Sequence, residues 1–527
     1  MSAKRAWVAV RRFARAVHMP PPDRAECLAL AGLGVAIALT SLCHLATLTT
    51  YPLIYVDEPW FADAAWNWLQ HGVHLESMHA PSRLVVPQGS LRRPIIPDGL
   101  FAASFALLGL GLFPARLVSW TFGLFLLLAT FWVGKRAYGP LTGGLAALLL
   151  SLSPAFSQAS HMARPDVILA AMVMGALGLA LLALEGGDWW AHFLAGLLLG
   201  LGVDVHMNAL VFVLALGVCY AVTYGRRLLR RGTWWFGGGV ALGLLVYAAA
   251  HILPDPAAYF AEQSFSLGVA HAMPIADLSL WSLLDSLRGE VARYDFYNHS
   301  LTFGLMAASL VCLACFRRSP RDRFFAAFVV SAFCGMVLMV RYKTPMYAVQ
   351  TLPVLFLLVA EAMLHLAGSL RKHHQGARAF VLSLLALLTL TSAQHFHRTL
   401  VDHRGYDYYA ITERIREAIP PGARVMGTPH WWLGLADCDY VSSANLTFFH
   451  YSRGDSLRQG LERLRPDVVI VDRYQRMLLT DENPFPTVRG PDVYLLPKAD
   501  FEAFLAEQGR EVLRFADRWH GMFQVYA

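Results

Sequence analysis

The chain has 527 residues, of which 56% are hydrophobic and only 15% charged, and its mean hydropathy is +0.44. That balance excludes a soluble globular enzyme, because a compact core cannot absorb so much apolar side chain. The net charge of +7 is divided among short clusters between apolar runs, which argues against a nucleic-acid surface.

In chain order, Lys4, Arg5, Arg11, Arg12, Arg15 and Arg24 precede an apolar run with no convincing cleavage site, so this end reads as a retained anchor. Apolar runs follow at Leu28–Leu48, Leu117–Val133, Val167–Leu184, Ala209–Val222, Phe236–His251 and Ala348–Leu366. They approach or reach the ~20 residues that cross a bilayer. The basic clusters fall in the N-terminal segment, at Lys135–Arg136, Arg226–Arg227 with Arg230–Arg231, Arg317–Arg323 and Arg371–His374. Placing these in the cytoplasm leaves Thr50–Pro114, Gln158–Pro165, Asp204–Asn208, Pro254–Ser300 and Arg341–Pro345 outside. Asp98–Phe113 is apolar but short, and reads as a re-entrant or interfacial helix rather than a span. About eleven transmembrane helices result, with the N-terminus in and the C-terminus out. The seven cysteines are scattered, and Cys312 with Cys315 reads as helix packing rather than a metal site.

Residues 1–400 form this membrane unit, with the first outer loop at about 50–114. Residues 401–527 change character. Tyr408–Ile419, Ser456–Leu464 and Asp500–Phe515 read as helices, while Arg424–Gly427 and Asp467–Asp472 read as short buried strands. The pattern predicts a small α/β domain on the outer face, without a nucleotide-binding glycine fingerprint. Trp431, Trp432, Tyr440 and Phe448–His450 read as its core more readily than as platforms for a glycan.

The outer loops hold the polar residues that composition does not explain. The first carries Asp57, Glu58, Asp63, Arg92 and Arg93; the second His161, Arg164 and Asp166; the third Asp204, His206 and Asn208. Later ones add His251, His271, Arg341, Tyr342 and Lys343. Acids and bases gathered from separate loops at one membrane face are what a shared polar cleft needs. Each has a plainer alternative. Asp57 can cap a predicted helix over Pro59–Gln70, and Asp166 can cap the run that follows it. Arg164 can snorkel, His206 can serve its own turn, and Arg92 and Arg93 can bind anionic lipid.

Three stretches carry a resemblance. Tyr55-Val-Asp-Glu-Pro-Trp-Phe-Ala-Asp63 resembles the first periplasmic-loop signature of the lipid A aminoarabinose transferase and protein O-mannosyltransferase superfamily (glycosyltransferase family 39-like). Leu152-Ser-Pro-Ala-Phe with Ala163-Arg-Pro-Asp166 is similar to its second outer-loop motif, and Lys343-Thr-Pro-Met-Tyr…Leu-Pro353 to a late one. The resemblance covers roughly residues 25–370 and implies the GT-C fold: a polytopic α-helical membrane protein, here with a small C-terminal α/β domain. It implies transfer of a sugar from a polyprenyl-phosphate carrier to a hydroxyl of a lipid, glycan or protein acceptor, with inversion, at the periplasmic face of a bacterial inner membrane. Under it Asp57 is the general base and Asp166 the second acid, while Arg93 and Lys343 meet the phosphate with Arg341 in reserve. Glu58, Arg164 and His206 complete the substrate-binding set. A divalent cation is left open, because Arg92 replaces a carboxylate that binds metal in some relatives. Phe61 and Asp63 likewise replace a Tyr and a Glu of the signature. The expected partners are the donor, the acceptor and membrane lipid, with no nucleic acid. The competing class is a transporter or flippase of lipid-linked sugars, which would show internal repeats and broken helices at mid-membrane.

Overall fold

A computed structural model describes residues 24–78, 93–225, 231–260, 279–295, 319–340, 343–369, 375–480 and 496–527. Arg92, His271, Cys312, Cys315, Arg341 and Tyr342 lie outside these described residues. Among the described residues, seven helices are long and apolar enough to cross a membrane: Cys27–Ala46, Leu112–Ala137, Asp166–Gly186, Gly232–Ile252, Pro320–Met339, Leu352–Ser369 and Arg378–Asp402. An eighth candidate is the pair Pro140–Ser151 and Pro154–His161, bent by 67°. The bend has a local cause. Ser153 accepts a hydrogen bond from Phe156 N at 3.2 Å and Pro154 opens the second helix, so the chain stops one helix and caps a new one.

The short apolar helices are Ile95–Leu108, Trp189–Val205 and Ala209–Tyr224. The first spans 14 residues and ends at Leu108, short of the expected Asp98–Phe113, because Gly109 breaks it and Phe113 belongs to the next helix, Leu112–Ala137. Helix Trp189–Val205 packs on the Arg231–Tyr247 helix through small residues on both sides. A Cβ on Gly196 would stand 2.1 Å from Phe236 O, and one on Gly239 2.0 Å from Phe193 O. Gly200 and Gly243 face each other in the same way, with a Gly243 Cβ reaching 2.6 Å from Gly200 Cα. Two facing glycine-x-x-x-glycine stripes let the backbones touch, which lipid-embedded helices need because apolar burial gives them little preference for one another. Gly239→Val is therefore expected to cost about 1–3 kcal/mol through overpacking, read as a lower melting temperature in detergent. An unchanged melting curve would mean that this contact does not hold the pair together.

The C-terminal unit contains β1 (Arg424–Gly427), β2 (Asp439–Ser442), β3 (Val468–Val471), the short β4 (Leu479–Thr480) and β5 (Leu496–Pro497), β6 (Glu511–Asp517) and β7 (Gly521–Tyr526). The main sheet runs β2-β1-β3-β7-β6, parallel over the first three strands and antiparallel at β7 and β6. Strand β3 reads Val-Val-Ile-Val and is buried throughout, as a strand covered on both faces must be. The pleat divides it. Val469 and Val471 join Met426, Leu457, Leu461 and Phe501 on one face. Val468 and Ile470 join Val425, Trp431, Phe523 and Val525 on the other, in a cluster continuous with the apolar core of the helices. Trp431, Trp432, Tyr440 and Phe449 are buried, so these aromatics are core.

One expected helix is corrected. Asp500–Phe515 divides into a helix over Lys498–Gln508 and strand β6, with Gly509 ending the helix in an extended conformation. Beyond Gly509, β6 pairs antiparallel with β7, and Phe515, opposite Phe523, turns inward from it. The cross-strand partner, invisible in the local sequence, overrides helical propensity.

Several contacts join this unit to the first loop. Ser442 N and Asn445 Nδ2 both donate to Met78 O at 3.0 Å, and Leu112 N donates to the Tyr409 hydroxyl at 2.7 Å. The Pro429–Gly434 turn packs on the Asp57–His71 helix.

Candidate active site

The acids at positions 57 and 166 each open a helix, yet neither side chain caps it. The helix over Asp57–His71 has Val56 at its N-cap and the helix over Asp166–Gly186 has Pro165, both without a side-chain cap bond. Both carboxylates turn instead to Arg164. Arg164 Nη1 pairs with Asp57 Oδ2, and Arg164 Nε donates to Asp166 Oδ2 at 2.8 Å. Arg164 is only 7% exposed, so it is built in rather than snorkelling to headgroups. Its guanidinium lies 5.5 Å from the centre of the Tyr55 ring. The Asp57 carboxylate keeps a quarter of its surface open, whereas Asp166 is buried and its Oδ1 has no hydrogen-bond partner among the described residues.

Several residues expected to contact substrate are committed elsewhere. Glu58 is fully buried, and both its oxygens accept from Arg116, Nε and Nη2 each at 2.8 Å. It also accepts from Tyr55 N at 2.9 Å and Ala163 N at 3.0 Å, while Arg116 Nη1 donates to Leu48 O at 2.7 Å. Glu58 is thus a strut between the first loop, the Leu112–Ala137 helix and the segment bearing Arg164, not a group facing a cleft. Arg93 is enclosed in the same way. It is buried, pairs with Glu76 at 3.1 Å and Asp98 at 3.2 Å, donates to Trp60 O at 3.0 Å, and lies over the Phe61 ring. Asp98, which also meets His74 Nε2 at 2.7 Å, neutralises it and leaves little charge for a phosphate.

Asp63 is likewise a staple, accepting from Asn67, Ser77 and Met78 N; burial raises its pKa to about 6 against those hydrogen bonds. Asp204 accepts from Ile95 N at 3.1 Å and Ile96 N at 2.6 Å, fastening the start of the Ile95–Leu108 helix, and meets His251 Nε2 at 2.6 Å.

The cationic side is assembled from later segments. The amphipathic helix Leu280–Asp295 exposes Leu280, Leu284, Leu287 and Val291 and turns Glu290, Arg293 and Tyr294 inward. Tyr294 is fixed by its hydroxyl contact with Thr351 Oγ1 at 2.7 Å. Glu290 is ion-paired with Arg293 and lies 3.5 Å from Lys343 Nζ. Burial pulls Lys343 down to about 8, with Arg293 pushing the same way and Glu290 opposing. Burial likewise raises Glu290, against the pull of Arg293 and Lys343. Among the described residues Glu290 Oε1 and Arg293 Nε have no hydrogen-bond partner. Sequence reading missed Arg116, Glu290 and Arg293; the last two are marked by the polar face of a short amphipathic helix.

Tyr347 links the two sides. Its ring lies 5.8 Å from the Arg293 guanidinium and 4.9 Å from the His206 ring, and the Pro345–Gln350 turn that bears it packs on the Asp166–Gly186 helix. Of the expected site residues, the structure joins Asp57, Arg164 and Asp166 in one group, sets His206 against Tyr347, and brings Lys343 to the Glu290–Arg293 pair. Buried polar atoms without partners on both sides mark a place where a polar ligand would complete the bonding. A divalent metal does not fit the acids as they stand, because Arg164 bridges Asp57 and Asp166. Among the described residues no three His, Cys, Asp or Glu side chains group as metal ligands.

The same arrangement of helices recurs in known structures. ArnT from Cupriavidus metallidurans bound to undecaprenyl phosphate superposes with a TM-score of 0.59 at 14% identity, covering 94% of this chain and 98% of that one. The Archaeoglobus fulgidus oligosaccharyltransferase tethered with an acceptor peptide gives 0.59 at 15% identity, over 94% of this chain and 74% of that one. The chain has the GT-C fold. The mycobacterial arabinofuranosyltransferase AftD shares it at a TM-score of 0.52 and 15% identity, over 94% of this chain and 40% of that one. A family model described as dolichyl-phosphate-mannose-protein mannosyltransferase matches residues 92–252, the part of the GT-C frame that contains Arg116, Arg164, Asp166 and His206. No curated protein matches the sequence.

Proposed function

We propose that this chain is an integral-membrane glycosyltransferase that moves a sugar from a polyprenyl-phosphate carrier to an acceptor hydroxyl. The observation that carries the reading is the Pro345–Gln350 turn, packed on the Asp166–Gly186 helix with its Asp57–Arg164–Asp166 group and on the Leu280–Asp295 helix, whose Glu290 meets Arg293 and Lys343. A sugar phosphate needs both: a base for the attacking hydroxyl and fixed positive charge where the leaving phosphate gains its negative charge. The GT-C neighbours add weight, since the ArnT structure holds undecaprenyl phosphate and a structure of the Archaeoglobus fulgidus oligosaccharyltransferase AglB holds a dolichol-phosphate.

In this reading Asp57, the more open acid, takes the hydroxyl proton. The acceptor oxygen bonds to the anomeric carbon as that carbon's bond to phosphate breaks, and the electron pair leaves on the phosphate oxygen. A single displacement inverts the anomeric centre. Asp166 orients the acceptor through its unpartnered Oδ1, and Arg293 and Lys343 receive the phosphate, for which Arg's planar fork is suited. The Ile95–Leu108 helix, with Leu107 and Leu108 exposed, offers one wall for the prenyl chain. Residues 1–400 are the membrane unit and 401–527 an outer domain, periplasmic in a bacterial inner membrane, with the first outer loop between them.

The test is turnover of a panel of radiolabelled polyprenyl-phosphate sugars by the purified protein in detergent. The expected result is label transferred to an acceptor, or released by hydrolysis, from at least one donor. Movement of the prenyl lipid across reconstituted vesicles without turnover would replace this reading with transport. A pH dependence accompanies it. Lys343 loses its charge as pH rises through its lowered pKa, so its share of phosphate binding is full well below pH 8 and is lost as pH rises through that value. The charged fraction falls about tenfold between pH 7 and pH 9, and donor KM is expected to rise by a similar factor. Lys343→Arg should flatten the rise; a flat profile in the unaltered protein would remove Lys343 from the phosphate site.

A further inference from the structure

Resting on that reading of the site, we propose that Arg164 is the resident cation of the Asp57–Asp166 pair, filling the place a divalent metal ion would need between the two carboxylates. Two carboxylates held close repel each other and would repel an incoming phosphate more strongly still. Something positive must stand between them. A guanidinium does this with a flat array of five donors, and here two different nitrogens serve the two acids: Nη1 for Asp57, and Nε for Asp166 at 2.8 Å. A metal ion bound to both carboxylates would need oxygens within ~2.0–2.6 Å, which is space the guanidinium occupies.

The arginine has no easy way out. It is 7% exposed and packed against Tyr55. Its backbone is pinned on both flanks: Ala163 N donates to Glu58 at 3.0 Å, Ser119 Oγ contacts both Arg164 N and Arg164 O, and Pro165 follows. The buried Glu58–Arg116 pair therefore holds in place the segment that places Arg164. The charge balance also suits the chemistry. With Arg protonated and both acids ionised, the group carries one net negative charge, so one carboxylate equivalent remains for base work. A divalent ion in the same place would cancel both.

The experiment is manganese(II) binding by electron paramagnetic resonance on the full-length protein in detergent. The unaltered protein is expected to hold no manganese that Asp166→Asn removes. Arg164→Ala should gain such a site, and the double variant Arg164→Ala/Asp166→Asn should lose it. If the alanine variant does not fold, Arg164→Gln, which drops the charge and keeps a donor, carries the same expectation. An Asp166-dependent manganese site in the unaltered protein, or no gain in a folded Arg164 variant, overturns the proposal. A second arm treats the unaltered protein with EDTA and expects donor turnover within about twofold of untreated, far less than the loss that follows removal of a metal acting in the reaction. Loss on EDTA with recovery on adding manganese also overturns it. The binding arm needs no sugar donor, so failure to find turnover would overturn the functional reading while leaving the cation assignment to be judged separately.

Discussion

Asp57→Asn is expected to lower sugar transfer by about 10²- to 10⁴-fold, the span associated with losing a positioned general base. The substitution removes the proton acceptor and little else. Asparagine has the same shape, its carbonyl oxygen can still accept from Arg164 Nη1, and Asp57 makes no cap bond that its helix would lose. What the fold loses is the charge that pairs with Arg164, which Asp166 still neutralises, and one negative charge in the first turn of the Asp57–His71 helix, worth about 0.3–1 kcal/mol against the macrodipole. The melting temperature should therefore move little while the rate collapses. The measurement is kcat at saturating donor beside a melting curve of the same preparation. Transfer at the unaltered rate by folded Asp57→Asn would move the base to Asp166, whose own amide variant is the matching control. If the donor KM rises with kcat unchanged, Asp57 binds substrate rather than taking a proton.

The sequence marked the regions of this site more reliably than the roles within it. Asp57, Arg164 and Asp166 stood out because polar residues beside apolar runs are costly without a purpose, and that argument needs no partner. Roles depend on partners, and those lie far away in sequence. Glu58 reads as a second loop acid until Arg116, 58 residues on, takes both its oxygens in the interior. Arg116 sits at the edge of an apolar run, where it passes for a flanking positive charge. Arg93 has Asp98 only five residues away, yet Glu76 and the Phe61 ring complete its enclosure, and no local pattern reports that. The strands β1 and β3 were legible almost to the residue because fully covered parallel strands read as short, dense apolar runs. The end of the Lys498–Gln508 helix was not, because pairing with a later strand decides it. Glu290 and Arg293 were missed for a related reason. Their helix is short and half polar, and its significance depends on Lys343 and Tyr347 arriving from another segment.

Arg116→Met is expected to be the most destabilising single change in the first-loop region, at about 3–5 kcal/mol. The side chain is fully buried and satisfies both oxygens of an equally buried Glu58. Methionine fills much of the volume but leaves the carboxylate with only the Tyr55 and Ala163 amides. An uncompensated charge in that interior costs far more than the packing lost. Adding Glu58→Gln should recover a large part of the loss, because the amide carries no charge and its oxygen can still accept from one of those backbone groups. A melting temperature in detergent for each single variant and the pair gives the coupling directly. Activity supplies a second readout, because Glu58 holds the Ala163 amide beside Arg164. The double variant should regain stability ahead of transfer, since a loosened Ala163–Arg164 segment misplaces Arg164 between Asp57 and Asp166 even in a folded protein. If Arg116→Met melts with the unaltered protein, the Glu58–Arg116 pair is not what holds this segment, and Glu58→Gln alone should be silent as well.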